Sequence, residues 1–471
     1  MTEMADELAA LARAAQIAQD YRREVATAER TPTADYAEIL AAFAAPLPET
    51  GDDPLTIINE LAARAAPGIR AMAGPRFFGW VIGNSHPTGV AADWLASAWG
   101  QNAANIAAAP AAAAVEAVAA DWLLELLDLP RDASVGLVTG ATVANMVCLA
   151  AARSEMLRRR GWDVEGDGLF GGPALPVLIG EDAHATVFVA LKLLGLGARR
   201  VMTVATDAQG RMLPAALVRA LAQIDVPPIV IAQAGQINTG ACDPFDAIVP
   251  LVRAAGGWLH VDGAFGLWAQ AAPTRANLTS GVSGADSWAT DGHKWLQTPY
   301  DCGFAIVRDS EAHRRAMAVS ASYLPPAQAD QRDPSSFVPE LSRRARGFAT
   351  WAMIRRLGRA GIAEMVERCC TIAAHMGETL GDLDGVALIA PVTLNQFMLR
   401  FGGSDELTLA VVAAVQADAV AFIGASQWRG EWVMRVSVSS IETSLADAEL
   451  TIESVQRCWF AVQAGRALQS A

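Results

Sequence analysis

The sequence predicts an α/β protein whose main domain is built around a largely parallel sheet. From about residue 134 onward, short runs rich in β-branched residues alternate with segments of helical period. Strands separated by amphipathic helices are typical of βαβ units, in which neighbouring strands run parallel. There are seven such runs: VGLVTG, PVLIG, RVMTV, IVIAQAG, WLHVDG, SWATDG and FAIVRD.

A helical arm is predicted before this sheet and a smaller α+β domain after it. The arm is broken at PLPETGDDP, whose prolines and glycine interrupt a helix, and an aromatic stretch, GPRFFGWVIGN, follows it. After about residue 347, a long helical pattern leads to three strand-like runs and a last helix. We therefore expect an arm with a pocket loop at 1–95, a large domain at 96–355 and a small C-terminal α+β domain at 356–471.

The amino-acid composition narrows the classes of partner that the protein could bind. The 50 acidic and 36 basic residues give a net charge of −14, which argues against binding to nucleic acid or to anionic membranes. A small-molecule partner is therefore expected. The first 30 residues lack the order of a signal peptide, and no apolar run is long enough to span a bilayer, so we expect a cytoplasmic protein. The six cysteines show no metal-ligand spacing, and no metal site is predicted.

Lys294 is the first candidate for chemistry, because the chain contains only one other lysine, Lys192. Arginine keeps its proton under all working conditions, whereas a lysine can become a neutral amine when burial or a neighbouring charge lowers its pKa. Such an amine can form a Schiff base with a carbonyl compound. The alternative is an ordinary surface charge, and scarcity alone leaves both readings open.

Asp262 is expected to face the same site. It follows an apolar strand in WLHVDGAFG and precedes Lys294 by 32 residues, about the length of one βαβ step. Ligands of such sheets bind at the carboxyl ends of the strands, where both residues are predicted. A carboxylate there could ligate a metal, act as a base or pair with a protonated ring nitrogen.

Two further features complete a pattern. The strand, turn and helix of GLVTGATVAN could place free helix amides against a phosphate group, and His184 opens another helix after a strand. A histidine there is commonly a helix cap, although it could also stack on a flat cofactor. An amine, a carboxylate, an anion site and a stacking group together fit pyridoxal 5'-phosphate.

These residues carry a resemblance to a known family. HVDGAFG, DSWATDGHKWL and ELSRRARG resemble the group II pyridoxal-phosphate-dependent decarboxylases, which act on aromatic amino acids, glutamate, histidine or diaminobutyrate. The resemblance implies fold type I, like that of aspartate aminotransferase, with a mainly parallel seven-stranded sheet. It also implies pyridoxal 5'-phosphate as the cofactor, and a homodimer with interlocked arms.

The resemblance also implies roles for individual residues. Lys294 would form the Schiff base, Asp262 would pair with the pyridinium nitrogen, Ala264 would lie under the ring and His184 would stack on its other face. An L-amino acid, possibly aromatic, would then lose its carboxylate through a quinonoid. The remaining expected contacts are Ala141, Thr142 and His293 near the phosphate, Asn238 and Thr239 at the cofactor's edge, and Trp80 in the wall of the substrate pocket.

The mobile loop departs from the family pattern. The resemblance assigns protonation of Cα to a loop tyrosine, but DPSSFVPELSRRARG has Phe337 where that tyrosine is expected, and Tyr323 stands near the beginning of the loop. We predict that the product is an amine. The alternatives are an aldehyde synthase or a carbon–carbon lyase on the same fold, and, from another class, an inactive binding protein.

Overall fold

Two β-sheets organise the structure, a computed structural model that describes residues 2–28, 31–318 and 331–469. The helices are α1 Thr2–Glu24, α2 Tyr36–Phe43, α3 Pro54–Ala65, α4 Pro87–Ala98, α5 Pro110–Leu126, α6 Ala141–Arg158, α7 Val164–Asp167, α8 Ala185–Leu193, α9 Pro214–Leu221, α10 Phe245–Ala254, α11 Ser310–Met317, α12 Arg346–Gly381, α13 Asp405–Asp418 and α14 Leu445–Gln469. The strands are β1 Ser134–Val138, β2 Val177–Gly180, β3 Met202–Val204, β4 Ile229–Gln233, β5 Trp258–Asp262, β6 Ser287–Asp291, β7 Gly303–Val307, β8 Val386–Leu388, β9 Gln396–Phe401, β10 Gly424–Trp428 and β11 Glu431–Ser437.

The large sheet has seven strands in the order β1-β7-β6-β5-β4-β2-β3. Strand β7 runs antiparallel to both of its neighbours, and the other neighbouring pairs are parallel. The seven sequence runs thus form the seven strands, and the predicted fold class is confirmed. The carboxyl ends of the parallel strands lie at one edge of the sheet, which is where such sheets bind ligands.

Packing on both faces explains why the strands are almost continuously apolar. All five residues of each of β1, β4, β5, β6 and β7 are buried, as expected for a sheet that is covered on both sides. One buried cluster contains α6 and α8 residues such as Val147 and Leu191, and another contains the indoles of Trp268 and Trp288. This packing holds the strand ends in fixed positions.

The second sheet is small and antiparallel, with the order β10-β11-β9-β8. Helix α12 leads to it and contains a non-helical residue, Gly358, with φ +62°. The predicted domain boundary at 355/356 falls inside this helix, close to that kink, and the division into domains stays a prediction. No helix within the described ranges is long and apolar enough to cross a membrane.

Candidate active site

The strand ends bring the polar residues together. Asp262 is the last residue of β5 and Asp291 the last residue of β6. Asp262 pairs in register with Gln233 of β4 on one side and with Ala289 of β6 on the other. Because these strands are parallel, the loops that follow them meet at one edge of the sheet.

A cavity of about 310 Å³ lies at this edge. It brings together seven of the residues predicted from the sequence, including both Asp262 and Lys294. The predicted residues in its lining are Ala141, Thr142, His184, Asp262, Ala264, His293 and Lys294, and the other lining residues are Thr139, Gly140, Thr186, Gln233, Gly235, Ile237, Phe265 and Asp291.

Lys294 lies three residues beyond the end of β6, with its side chain 17% exposed. Its Nζ is 3.0 Å from Oδ2 of Asp291 and 5.9 Å from the ring centroid of Phe265. The loop before α4 packs against the lysine's backbone, since a Cβ atom at Gly83 would lie only 1.8 Å from the carbonyl oxygen of Lys294. Lys192, by contrast, is an exposed residue of α8.

Asp262 is a buried carboxylate, 7% exposed. Its Oδ1 accepts a hydrogen bond of 3.3 Å from the amide of Ala264. Burial raises the pKa of Asp262, and the positive charges of His184 and Lys294 oppose that rise. No cation among the described residues forms an ion pair with Asp262, so a cationic ligand at this point would stabilise its ionised form.

His184 caps the start of α8 and also lines the cavity. Its Nδ1 is 2.7 Å from Oγ1 of Thr186 and accepts from the amide of Thr186 at 3.3 Å. Burial lowers the pKa of His184, although the charge of Asp262 acts in the opposite direction. The cap and the cavity-lining role weighed in the sequence are therefore both present in one imidazole.

The start of α6 faces the cavity without a side-chain cap, because its N-cap residue is Gly140. A Cβ atom at Gly140 would lie 2.9 Å from Cε1 of His293, which explains why this position has no side chain. The amide of Ala141 donates to Oδ1 of Asp291 at 2.6 Å. The helix start thus already attracts an anionic group, as expected for the positive end of a helix dipole.

Two charged residues near the cavity escaped the sequence argument. Asp291 could have been found, because it ends strand SWATD just as Asp262 ends WLHVD. Arg435 carries no such signal, since it belongs to β11 of the distant small sheet and only the fold brings it close. It donates to the carbonyl of Ile237 at 3.4 Å, and its charge contributes to lowering the pKa of His184. Burial lowers the pKa of Arg435 to about 10, with no described carboxylate acting against it.

Asn238 and Thr239, predicted to lie at the cofactor's edge, bind other parts of the protein with their side chains. Neither residue lines the cavity, and Gly235 and Ile237 of the same loop line it instead. The side chain of Asn238 binds the small sheet, accepting from Oγ of Ser426 at 2.8 Å. Thr239 donates to the carbonyl of Gln209 at 2.7 Å. Both side chains are committed to holding the loop in place.

Trp80 does not line the cavity either. Its indole is 50% exposed and lies 5.1 Å from the ring of Phe422 and 5.9 Å from that of Phe77. The loop that follows it, predicted as the wall of the substrate pocket, lines a second cavity of about 640 Å³. That cavity lies between α1 and α4, and its lining includes Ile82, Gly83 and Tyr300.

The prediction that Phe337 belongs to the substrate pocket is not met within this chain. Phe337 is 6% exposed and ends a short 3-10 helix, Pro334–Phe337. Its ring lies 5.2 Å from that of His313, and His313 binds Ser134, the first residue of β1. Phe337 therefore packs at the amino end of β1, away from the carboxyl end where the cavity lies. Tyr323 lies outside the described residues.

The arginines of ELSRRARG act as structural anchors. Arg343 donates to Oε2 of Glu116 at 2.7 Å, and both side chains are 1% exposed. Arg346 pairs with Asp301 at 2.8 Å, and Arg344 pairs with Asp93 of α4. These three ion pairs attach the segment after residue 331 to α5, to α4 and to the loop after Lys294.

The cavity fits pyridoxal 5'-phosphate on the chemistry of its residues. A partly buried amine suits an aldehyde, a helix start whose N-cap is a glycine suits a phosphate, and a buried carboxylate without a cationic partner suits a protonated pyridine nitrogen. The small side chain of Ala264 and the imidazole of His184 both line the same cavity. All of these groups belong to residues named from the sequence.

Comparison with known proteins agrees with this chemistry. Tryptophan decarboxylase 1 of Oryza sativa subsp. japonica is 28% identical over 83% of this chain and 82% of its own length. The aromatic-L-amino-acid decarboxylase of Bacillus atrophaeus is 27% identical over 76% of this chain and 74% of its own length. The phenylacetaldehyde synthase of a Rosa hybrid cultivar is 27% identical over 66% of this chain and 63% of its own length. The crystal structure of Oryza sativa TDC with PLP and tryptamine has a TM-score of 0.89 at 24% identity, covering 97% of this chain and 98% of that one, which shows a shared fold.

A family model, the pyridoxal-dependent decarboxylase conserved domain, matches residues 38–399. This span includes every strand of the large sheet and all seven predicted residues that line the cavity. The chain therefore belongs to the pyridoxal-dependent decarboxylase family, and it is an amino acid decarboxylase that uses pyridoxal 5'-phosphate.

Proposed function

We propose that this enzyme removes the α-carboxylate of an aromatic L-amino acid and releases carbon dioxide and the corresponding amine. The observation that carries the proposal is the cavity in which Lys294, Asp262 and His184 meet. When bound there, pyridoxal phosphate supplies an aldehyde for amino groups and a ring that withdraws electrons from the bond that breaks.

Lys294 and Asp262 have complementary tasks. The amine of Lys294 would hold the cofactor through its aldehyde. Asp262, buried at the end of β5, keeps the pyridine nitrogen protonated, because an ionised carboxylate in this apolar position is stabilised by a neighbouring cation. Without that proton the ring would accept electrons poorly.

We assign the substrate's carboxylate to Arg435 and the incoming proton to His184. The guanidinium of Arg435 has no carboxylate partner among the described residues, so an anionic substrate group can pair with it. One proton must replace the lost carboxylate on Cα. A neutral His184, favoured by burial, cannot donate from Nδ1 while that atom accepts from the Thr186 amide, so we assign the donation to Nε2 or to a water bound there.

The aromatic substrate class is supported by the relatives. Two of the three similar proteins described above are named as tryptophan and aromatic-L-amino-acid decarboxylases. The phenylacetaldehyde synthase keeps aldehyde formation as a second candidate. The position of Phe337 favours the amine, because its ring is buried against His313 and does not line the cavity.

We also propose a homodimer. Residues exposed on α1 include Met4, Leu8 and Leu11, each more than half exposed, and α3 exposes Leu61. Apolar side chains repeated along arm helices are better covered by a second copy than left in water. This agrees with the interlocked arms implied by the sequence.

The test is an assay of the purified protein, with pyridoxal phosphate added, against tryptophan, tyrosine, phenylalanine, glutamate and diaminobutyrate. Carbon dioxide, amine, aldehyde and hydrogen peroxide are measured together, in air and without oxygen. We expect one amine for each carbon dioxide from the aromatic substrates under both conditions. Aldehyde and peroxide that appear only in air would identify an aldehyde synthase, and release of no product from any substrate would contradict the proposal.

A further inference from the structure

Asp291 is the one acidic residue of the cavity lining besides Asp262, and its carboxylate lies against three cationic or electropositive groups. Its Oδ1 accepts from the amide of Ala141 at 2.6 Å, and its Oδ2 lies 3.0 Å from Nζ of Lys294. Nε2 of His293 is 3.6 Å from the same Oδ2. The side chain is 3% exposed, so these protein groups largely replace solvent around it.

The same three groups are those that would attract the phosphate of the cofactor. Ala141 provides the first amide of α6, where the helix dipole favours an anion. Lys294 and His293 provide positive charge or hydrogen-bond donors. A phosphate near this helix start would therefore share its donors with a carboxylate that already uses them, and the two anions would repel each other at close range.

We propose that Asp291 competes with the cofactor's phosphate group for the start of α6 and thereby sets how tightly the enzyme holds its cofactor. Asp291 acts through the amide of Ala141 and the charge of Lys294, so it is a positioning residue. Its effect is specific to the phosphate, because the ring end of the site is formed by Asp262 and Ala264. The proposal rests on the phosphate placement given by Ala141 and Thr142.

The test compares two ligands that have no aldehyde and bind without covalent chemistry, pyridoxine 5'-phosphate and pyridoxine. Their dissociation constants are measured by titration calorimetry for the wild-type protein and for Asp291→Asn, which keeps the shape and removes the charge. We expect Asp291→Asn to bind pyridoxine 5'-phosphate at least about tenfold more tightly and pyridoxine unchanged. Unchanged or weaker binding of the phosphorylated ligand, or an equal change for both ligands, would overturn the proposal.

Asp262→Asn is the matched control, because it changes the other aspartate at a strand end. It should weaken both ligands by the same factor, since both carry the pyridine ring. Asp291→Ser is a second variant without the charge, and circular dichroism shows whether each variant is folded. If neither Asp291 variant folds, the wild-type protein decides: a phosphate that improves binding measurably but by less than about tenfold supports the proposal, and either no gain or a larger gain contradicts it.

The outcomes separate this proposal from the proposed function. If the wild-type protein binds both ligands equally and Asp291→Asn leaves them equal, the phosphate does not lie at α6, and the inference about Asp291 is wrong. The decarboxylase reaction is tested independently by carbon dioxide release from the amino acid panel.

Discussion

The carboxyl and amino ends of the large sheet contain the same kinds of residue in opposite surroundings, open at one end and buried at the other. At the carboxyl ends, Lys294 and His184 border an open cavity, and Asp262 has no cationic partner among the described residues. At the amino end, His313 is 0% exposed, binds Oγ of Ser134 at 2.8 Å and forms a T-shaped contact with the ring of Phe337.

The difference shows that reactivity here depends on access and on missing partners. Burial lowers the pKa of His313 to about 3, and also lowers that of His184. Both imidazoles are therefore neutral at neutral pH, but only His184 faces a space in which a ligand can bind. The carboxyl end of the sheet therefore forms the candidate active site, and the packing at the amino end stabilises the fold.

The largest expected effect comes from removing the amine at the carboxyl end. Lys294→Ala should lower the rate of amine formation by about 1,000-fold or more, because the covalent attachment point is lost. It should also remove the visible absorption band of the protein with bound cofactor. Steady-state kinetics and absorption spectra measure both effects.

Lys192→Ala is the matched control, because Lys192 is the other lysine of the chain and is exposed on α8. Its rate and its spectrum should equal those of the wild-type protein. A Lys294→Ala enzyme that keeps more than about a tenth of the activity would show that the cavity is not the catalytic site.

The second prediction concerns stability in acid and sharpens the contrast at the buried end. Burial lowers the pKa of His260, like that of His313, to about 3. Between pH 6.5 and pH 3 the unfolded chain binds protons that these folded imidazoles exclude. The stabilisation that comes from these two neutral imidazoles should therefore be complete above pH 6.5. Below about pH 6, the free energy of unfolding should fall by about 1.4 kcal/mol for each histidine and each pH unit.

Denaturant unfolding at several pH values measures this slope. His313→Asn, which can still hydrogen-bond Ser134, should flatten the slope by the share of one histidine. A slope that stays the same in His313→Asn would show that His313 does not titrate with folding.

The smallest expected effect comes from Phe337→Tyr, which restores a tyrosine at the position considered for the proton donor. Phe337 is buried against His313, so the new hydroxyl should lower the free energy of unfolding by about 1 to 3 kcal/mol. The ratio of amine to aldehyde should not change, and product analysis measures it. A shift of that ratio toward amine would place residue 337 in the active site of the assembled enzyme after all.

Much of the site could be predicted because its residues follow a simple rule. A polar residue at the end of an apolar strand, or within a few residues after it, lies at the edge of the sheet, as Asp262, His184 and Lys294 do. The rule does not distinguish Gly235 and Ile237, which line the cavity, from Asn238 and Thr239 of the same loop, whose side chains bind Ser426 and Gln209. The location of the Phe337 side chain could not be predicted, because the number of residues along a long loop does not define the path that the loop takes.

The sequence by itself determined the α/β class, the seven strands, the cofactor and the pairing of Lys294 with Asp262 in one site. Periodicity and residue chemistry are local properties, and they are sufficient for these conclusions. Only the tertiary structure brought Arg435 from the small sheet toward His184, placed Asp291 between Ala141 and Lys294, and buried Phe337 at the far end of β1. Except for Asp291 and Lys294, which are three residues apart, those contacts join residues that are far apart in the chain, and they depend on how the elements pack.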